Sequence, residues 1–386
     1  MKRIACSASA LALAATAAHA GGIERTTQSA QVLFEEGNHF ELSFGKAMPE
    51  LGGTSRDIAG PGTGGDIDNV AQDFTLPSAA LKIDISGPWS AAFIFDRPFG
   101  ADISYPDDDL ILGGTEAFAQ TSTLTSLLKY QINDNFSVYG GLRTQRAEGE
   151  ITLRGAAYGA VSGYNVELDS DTANGYVLGA AYERPDIALR VALTYNSSIE
   201  HSMSTTESGP LVDPDGAGPL PPLPLLNGSS DTKVKTPESW NLEAQTGVAP
   251  GTLVFGSVRW VKHSEFRVDP ERFETVTDGG LIDLEDTVTY RLGMGRQFTD
   301  KLAGSVSVAY EAPGDDLVSP LAPSTGFTQL AVGAAYDINE TVTLSGGVSY
   351  TWLGDAKPET GTPDVARADF EDNDAWGVGM KIAFKF

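Results

Sequence analysis

The chain has 386 residues, a formal net charge of −26, 43 glycines and a single cysteine. That acidity excludes a nucleic-acid-binding surface, which needs basic side chains to neutralise phosphates. No internal stretch approaches 18 consecutive apolar residues, so no membrane helix is expected, and the lone cysteine allows no internal disulfide and no thiolate cluster.

The N-terminus, "MKRIACSASALALAATAAHAGG", places Lys2 and Arg3 before an apolar run that ends at Ala18-His19-Ala20. This is a secretory leader over 1–20 with an A-x-A cleavage site, too short to span a bilayer, and the mature chain is expected to start near Gly21. Cys6 falls inside the leader, so the exported part carries no thiol. A short segment, 21–37, then precedes the first strand, and 38–386 reads as one β-domain.

From there the chain is a series of hairpins. "LLKYQINDNFSVYGGLR", "LGAAYERPDIALRVALTY", "LGMGRQFTDKLAGSVSVAY" and "VGAAYDINETVTLSGGVSY" each hold two strands of period two around a short turn. The turns use Asn133-Asp134-Asn135, Pro185-Asp186, Thr299-Asp300 and Asn339-Glu340, and further hairpins turn at Gly87-Pro88 and Ala249-Pro250-Gly251. Strands are expected at 38–47, 76–86, 89–104, 116–130, 136–146, 173–183, 187–196, 238–249, 252–265, 287–297, 302–311, 327–337, 341–353 and 375–386. Between hairpins lie long acidic stretches rich in Gly and Pro: 48–75, 105–115, 145–172, 197–236, 266–286, 313–326 and 354–374. Short turns alternate with long loops, so an antiparallel meander puts all turns at one end and all loops at the other, as in an outer-membrane barrel.

The faces decide the solvent. Val342, Leu344, Val348, Tyr350 and Trp352 oppose Thr341, Thr343, Ser345, Ser349 and Thr351. A soluble barrel would hide the bulky face and expose charge; a small, hydroxylated second face suits a lumen, and the bulky face suits lipid. Tyr130, Tyr182, Phe298 and Tyr336 lie beside the short turns, and Tyr195, Trp240, Trp260, Tyr290, Tyr310, Tyr350 and Trp352 towards the loops, as two interfacial belts. The expectation is an all-β, 14-stranded antiparallel transmembrane β-barrel with a short N-terminal hatch or plug, in the outer membrane of a Gram-negative bacterium.

The closing "AWGVGMKIAFKF", the hairpin "TPESWNLEAQTGVAPGTLVFGSVRWVKHSEF" with its Pro-x-x-Trp and later Ser-x-Phe, and "LEDTVTYRLGMGRQFTDKLAGSVSVAYE" resemble the FadL/TodX family of outer-membrane long-chain fatty acid and hydrocarbon transporters. The resemblance runs from about residue 30 to the end. It implies passive uptake of long-chain fatty acids, or of aromatic and other hydrocarbons, through a hatch-plugged lumen with sideways exit at a kinked third strand. It implies no cofactor and no catalysis, and it implies contact with outer-membrane lipid, lipopolysaccharide and the barrel-assembly machinery. The family's hatch carries an Asn-Pro-Ala motif where this chain reads "SAQVLFEEGN".

Three groups of residues could carry transport. In "AAFIFDRPFGADISY", Pro98, Phe99 and Gly100 interrupt the third strand, since Pro donates no ladder bond and Gly weakens pairing; this is a lateral gate or a simple edge bulge. Lys129, Arg143, Arg190, Arg259 and Arg291 fall on lumen faces. They would hold a carboxylate headgroup, or pair with acids such as Glu24, Glu35, Glu36, Glu243 or Glu311. "GAAYGAVSGY" (Tyr158, Val161, Tyr164) and "GPLVDPDGAGPLPPLPLLNGSS" (Leu220, Leu223, Leu225, Leu226) form either an extracellular capture groove or proline-stiffened packing. The acid clusters "YPDDDL", "VDPDG", "PGDDL" and "FEDND" match no calcium-loop spacing and read as a solvated face. His19, His39, His201 and His263 give no metal spacing, and His201-Ser202 lacks a visible third partner, so no metal site and no catalytic residue is expected.

Overall fold

Strands that alternate a bulky apolar residue with a small or hydroxylated one build a sheet with one face that water does not wet. In the computed structural model, which describes residues 23–58, 60, 62–213, 221–277, 279–361 and 364–386, that sheet closes on itself. Among the described residues its wall has fourteen antiparallel strands. They are β1 (His39–Glu50), β2 (Phe74–Ser86), β3 (Trp89–Asp96, resuming as Gly100–Ser104), β4 (Glu116–Gln131), β5 (Phe136–Leu153), β6 (Tyr164–Arg184) and β7 (Leu189–Asn196). The second half is β8 (Ser239–Ala249), β9 (Thr252–Val261), β10 (Thr287–Gln297), β11 (Leu302–Glu311), β12 (Phe327–Asp337), β13 (Val342–Leu353) and β14 (Asp374–Lys385). The seam pairs β1 with β14, from His39 opposite Lys385 to Glu50 opposite Asp374. Closure satisfies backbone groups without water, the condition for a sheet in hydrocarbon. No helix among the described residues is long and apolar enough to cross a membrane.

The side chains are sorted inside out. Met380 is 61% exposed and Leu292 66%, while Ala303, Ala331, Ala375 and Ser349 are buried. Aromatic pairs mark both rims: Trp89 with Tyr130 and Phe136 with Tyr182 near the short turns, Tyr195 with Trp240 and Tyr350 with Trp376 near the loops. Each of these pairs sits directly opposite in register, so the belts also lock strand to strand.

The structure departs from the sequence expectation beyond residue 146. Strands β5 and β6 continue to Leu153 and back from Tyr164, and the expected loop 197–236 contains a hairpin, Ile199–Ser208 with Gly228–Thr236. Its first strand pairs with β6, Thr205 opposite Leu168. The cause is a change of solvent. Ile151, Val166, Leu168, Met203 and Val234 still point inward and are buried, but the outward positions are Glu148, Glu150, Glu167 and Asp169. Above the bilayer the outer face is charged, and strand alternation there looks like a polar loop.

Leu292 faces outward at the middle of β10, so Leu292→Arg should lower the unfolding free energy in lipid vesicles by about 2–4 kcal/mol. Urea titration of the folded barrel measures this; a loss below about 0.5 kcal/mol would mean that the face is not in hydrocarbon.

Candidate functional site

The wall is broken at one corner. Strand β3 stops at Asp96 and resumes at Gly100, and opposite that interval β4 supplies one residue fewer, which makes a bulge. Pro98 sits in the bulge, where its missing N–H leaves no ladder bond undone. Pairing of β2 with β3 ends at Ala79 opposite Phe95. Beyond it, residues 74–78 of β2 remain paired with β1, but β3 has turned away from them. Phe99 is rotated inward and buried; its N–H donates to Thr121 Oγ1 at 2.9 Å, and the same hydroxyl donates to Phe99 O at 2.8 Å.

The N-terminal segment occupies the vacated edge. Arg25 N–H donates to Pro98 O at 2.7 Å, Gly100 N–H donates to Ile23 O at 2.8 Å, and Thr26 Oγ1 donates to Asp96 at 2.7 Å. A Cβ on Gly100 would lie 2.7 Å from Arg25 Nε and 2.8 Å from Ala119 O, so this approach requires glycine. The segment then reaches across the lumen to β8 and β9. Arg259 Nε donates to Glu24 at 2.6 Å, Asn241 Nδ2 to Thr27 O at 2.8 Å, Ser29 Oγ to Glu243 at 2.9 Å and Gln31 Nε2 to Glu243 at 2.8 Å. Phe34, at the end of the short helix Gln31–Phe34, meets the Tyr139 ring edge-on at 5.8 Å.

Four of the five inward bases gather along this segment. Lys129 is 3.6 Å from Glu183 and 4.6 Å from the Phe34 ring centre, and Arg190 donates to Gln245 at 3.1 Å while lying 4.8 Å from the same ring. Arg190, Arg259 and Arg291 line one polar cavity with Glu243. Arg259 is engaged by Glu24, Gln28, Ser239 and Asn241, which is pairing with one of the acids anticipated as an alternative. Arg143 stands apart on β5. It is 2% exposed, and its Nη2 has no hydrogen-bond partner.

Above the segment lie three cavities, the outermost of which mixes apolar side chains with Arg267, Asp283, Glu359 and Asp364. Tyr158, Val161, Phe273, Leu281 and Ile282 line an extracellular cavity of about 580 Å³. A second cavity, lined by residues such as Ile23, Phe99, Met203, Phe266, Val268 and Leu321, lies beneath it; the two acids at its edge, Glu148 and Glu150, belong to the outward face of β5. A third runs along the break, between Phe74 of β2 and Gly100–Ile103 of β3, with Arg25 and Asp102 at its side.

Of the anticipated capture residues, Tyr158 and Val161 line the extracellular cavity. Tyr164 and Leu226 are fully buried and Leu225 packs on the same core. Leu223 is 40% exposed and pairs through its backbone with Val212, and Leu220 lies outside the described residues.

Sequence reasoning missed Phe273. It rides on the short helix Glu271–Glu274, stacks on Tyr164 at 4.8 Å and forms part of the cavity wall. Glu207 holds it there: this buried carboxylate accepts the N–H groups of Arg272 and Phe273 at 3.0 and 2.8 Å and the Tyr164 hydroxyl at 2.8 Å. "DPERFE" offers Pro270 ahead of an acidic first turn, a helix-start signal, but four residues are too few to show a period.

His201 is buried with its ring nitrogens 3.2 Å from Asp171 and 3.2 Å from Gln145. Ser202 points to the opposite, exposed face of the hairpin strand, so the two side chains make no nucleophile–base contact. No group of three or more potential metal ligands occurs among the described residues.

Comparison with known proteins bears on this arrangement. A family model described as outer membrane protein transport protein (OMPP1/FadL/TodX) matches residues 4–386. No curated protein sequence matches the chain. Among solved structures, a Pseudomonas aeruginosa FadL homologue superposes with a TM-score of 0.74 at 15% identity, covering 96% of this chain and 97% of that one. The Pseudomonas putida toluene transporter TodX gives 0.63 at 12% identity, covering 96% and 98%, and the Ralstonia pickettii toluene transporter TbuX gives 0.61 at 12%, covering 96% and 97%. At these identities the superpositions establish the closed barrel as a shared fold, and the family match extends over nearly the whole sequence. The chain is therefore a member of the OMPP1/FadL/TodX family of outer membrane transport proteins for hydrophobic compounds.

Proposed function

We propose that hydrophobic molecules enter this barrel at the extracellular cavity, pass through the apolar cavity beneath it and leave sideways into the bilayer through the break in β3. The observation that carries this reading is the contrast of linings on the two sides of the N-terminal segment. In the cavity just above it the inward walls are Phe, Ile, Leu, Val and Met; below it stand Arg190, Arg291 and Glu243. Each methylene left in water costs about 0.8 kcal/mol, so an apolar molecule that continued downward would lose what the upper cavity provides. Between Phe74 and Gly100 it meets hydrocarbon instead. In this reading the N-terminal segment is the hatch, and its short pairing with residues 98–100 is what must yield during passage.

Uncharged hydrocarbons fit the apolar cavity better than fatty acids, because no Lys, Arg or His lines it and the acids at its edge lie on the outward face of β5. A fatty acid is the second reading, and one observation favours it. Arg143, with its unpartnered Nη2, lies on β5 four residues from Ala147 in the cavity wall, where a guanidinium could meet a carboxylate. Lys129, Arg190, Arg259 and Arg291 are already engaged or stand beside Glu243, and they serve chiefly to seat the hatch. Passage is passive and non-catalytic in this account. In the same reading insertion depends on the barrel-assembly machinery, and the loops stand among lipopolysaccharide.

Three outcomes test the proposal. A Thr26→Cys/Asp96→Cys disulfide should pin the hatch across the break and reduce toluene uptake by proteoliposomes about tenfold, with recovery on reduction; normal uptake in the oxidised protein would remove the lateral route. Phe273→Ala should weaken binding of a fluorescent apolar probe about five- to tenfold, and Glu207→Gln, which removes the charged cap, should do so to a smaller extent. Unchanged binding in both would exclude the extracellular cavity as the capture site. Cells carrying Arg143→Met should lose oleate uptake while keeping toluene uptake if fatty acid is a cargo, and equal retention of both would leave hydrocarbon as the cargo class.

A further inference from the structure

These three cavities share one lining residue, Leu321. The extracellular cavity and the one beneath it have Ile282 in common as well, but of these two only Leu321 also borders the cavity along the break, which the inner cavity meets at Ile23, Gly100 and Ala101 too. It is 2% exposed, so its isobutyl group is packed where the three cavities adjoin.

Its backbone is held stiffly. Leu321 belongs to "SPLAP", and Pro320 and Pro323 fix φ on either side of it. Leu321 N–H donates to Ser319 Oγ at 3.2 Å, and Ala322 N–H donates to Ser319 O at 3.0 Å, which closes a tight turn. Tyr105, from the loop that follows β3, donates its hydroxyl to Pro320 O at 2.9 Å. That tyrosine is itself buried against Phe370, at 6.3 Å between ring centres, and burial raises its phenol above the ordinary value, so it remains a donor. A loop leucine with only local support would swing aside for any molecule. One fixed by two prolines, a serine and a buried tyrosine yields by side-chain rotation alone, and the space thus released is small and defined.

We propose that Leu321 is a specificity-determining residue for transport: its side chain separates the capture cavity from the wall break and sets the widest hydrophobic molecule that passes, with Tyr105 acting as the positioning residue that keeps it at the junction. The proposal rests on the lateral route argued above. It predicts discrimination by cross-section rather than by length, because a chain of any length presents the same width to one constriction.

The test is uptake of toluene, naphthalene and pyrene by proteoliposomes holding the full-length protein, with folding verified by heat-modifiable gel migration. Leu321→Ala should raise the pyrene-to-toluene uptake ratio about tenfold. Leu321→Phe should lower uptake of all three about tenfold. Tyr105→Phe, which changes no volume at the junction, should shift the ratio in the same direction as Leu321→Ala by a smaller factor, an effect that a purely structural tyrosine would not produce. An unchanged ratio in both Leu321→Ala and Tyr105→Phe, or wild-type uptake through Leu321→Phe, would overturn the assignment. If the Thr26→Cys/Asp96→Cys disulfide blocks uptake but the ratios do not move, Leu321 fails alone; if the disulfide has no effect, the route itself fails.

Discussion

Everything in this molecule follows from the need to pair backbone N–H and C=O groups in a medium that offers no water. Closing the sheet through β1 and β14 meets that need around the wall. The break in β3 is where the wall itself does not, and there the N-terminal segment supplies the bonds, through Arg25 N–H on Pro98 O and Gly100 N–H on Ile23 O. Main-chain hydrogen bonds of this kind each have a net worth of about 0.5–1.5 kcal/mol. The ion pair of Glu24 with Arg259 and the contacts of Ser29 and Gln31 with Glu243 keep the rest of the segment anchored across the lumen. The covering piece can therefore part at one end without leaving the barrel.

The same segment divides the interior by polarity. Phe266, Met203 and Val268 lie on its loop side, and the arginines around Glu243 on its turn side. An overall charge of −26 thus coexists with an arginine cluster enclosed in the lumen, where Glu243 and the carboxylate and hydroxyl groups of the N-terminal segment balance it. The extracellular half is assembled differently, by one buried carboxylate. Glu207 gathers Tyr164, Arg272 and Phe273 from two separate segments of the chain, and without it the short helix bearing Phe273 would have free N–H groups over an apolar cavity.

How far the sequence revealed this depended on which solvent each face met. The fourteen strands were legible because lipid demands an unbroken row of Val, Leu and aromatics, as in Val342, Leu344, Val348 and Tyr350. The upper parts of β5 and β6 were not, because Glu148, Glu150, Glu167 and Asp169 replace that row once the wall rises into water. The break at Pro98-Phe99-Gly100 could be anticipated from the chemistry of Pro and Gly. Its partner, Ile23–Thr26, could not, because a pairing across some seventy residues leaves no local signature. The leucines of the proline-rich loop were conspicuous, yet Leu226 and Leu225 serve packing, whereas Phe273 and Leu321 border the cavities. Single apolar residues in irregular loops carry no period, so only their position in space distinguishes them.

The account turns on where a hydrophobic molecule resides inside the barrel. Crystals grown with a brominated aromatic hydrocarbon would locate it by anomalous scattering. The account predicts bromine density beside Ile23, Phe99 and Leu321 and along the break between Phe74 and Gly100. Density among Arg190, Arg291 and Glu243, on the far side of the N-terminal segment, would contradict it.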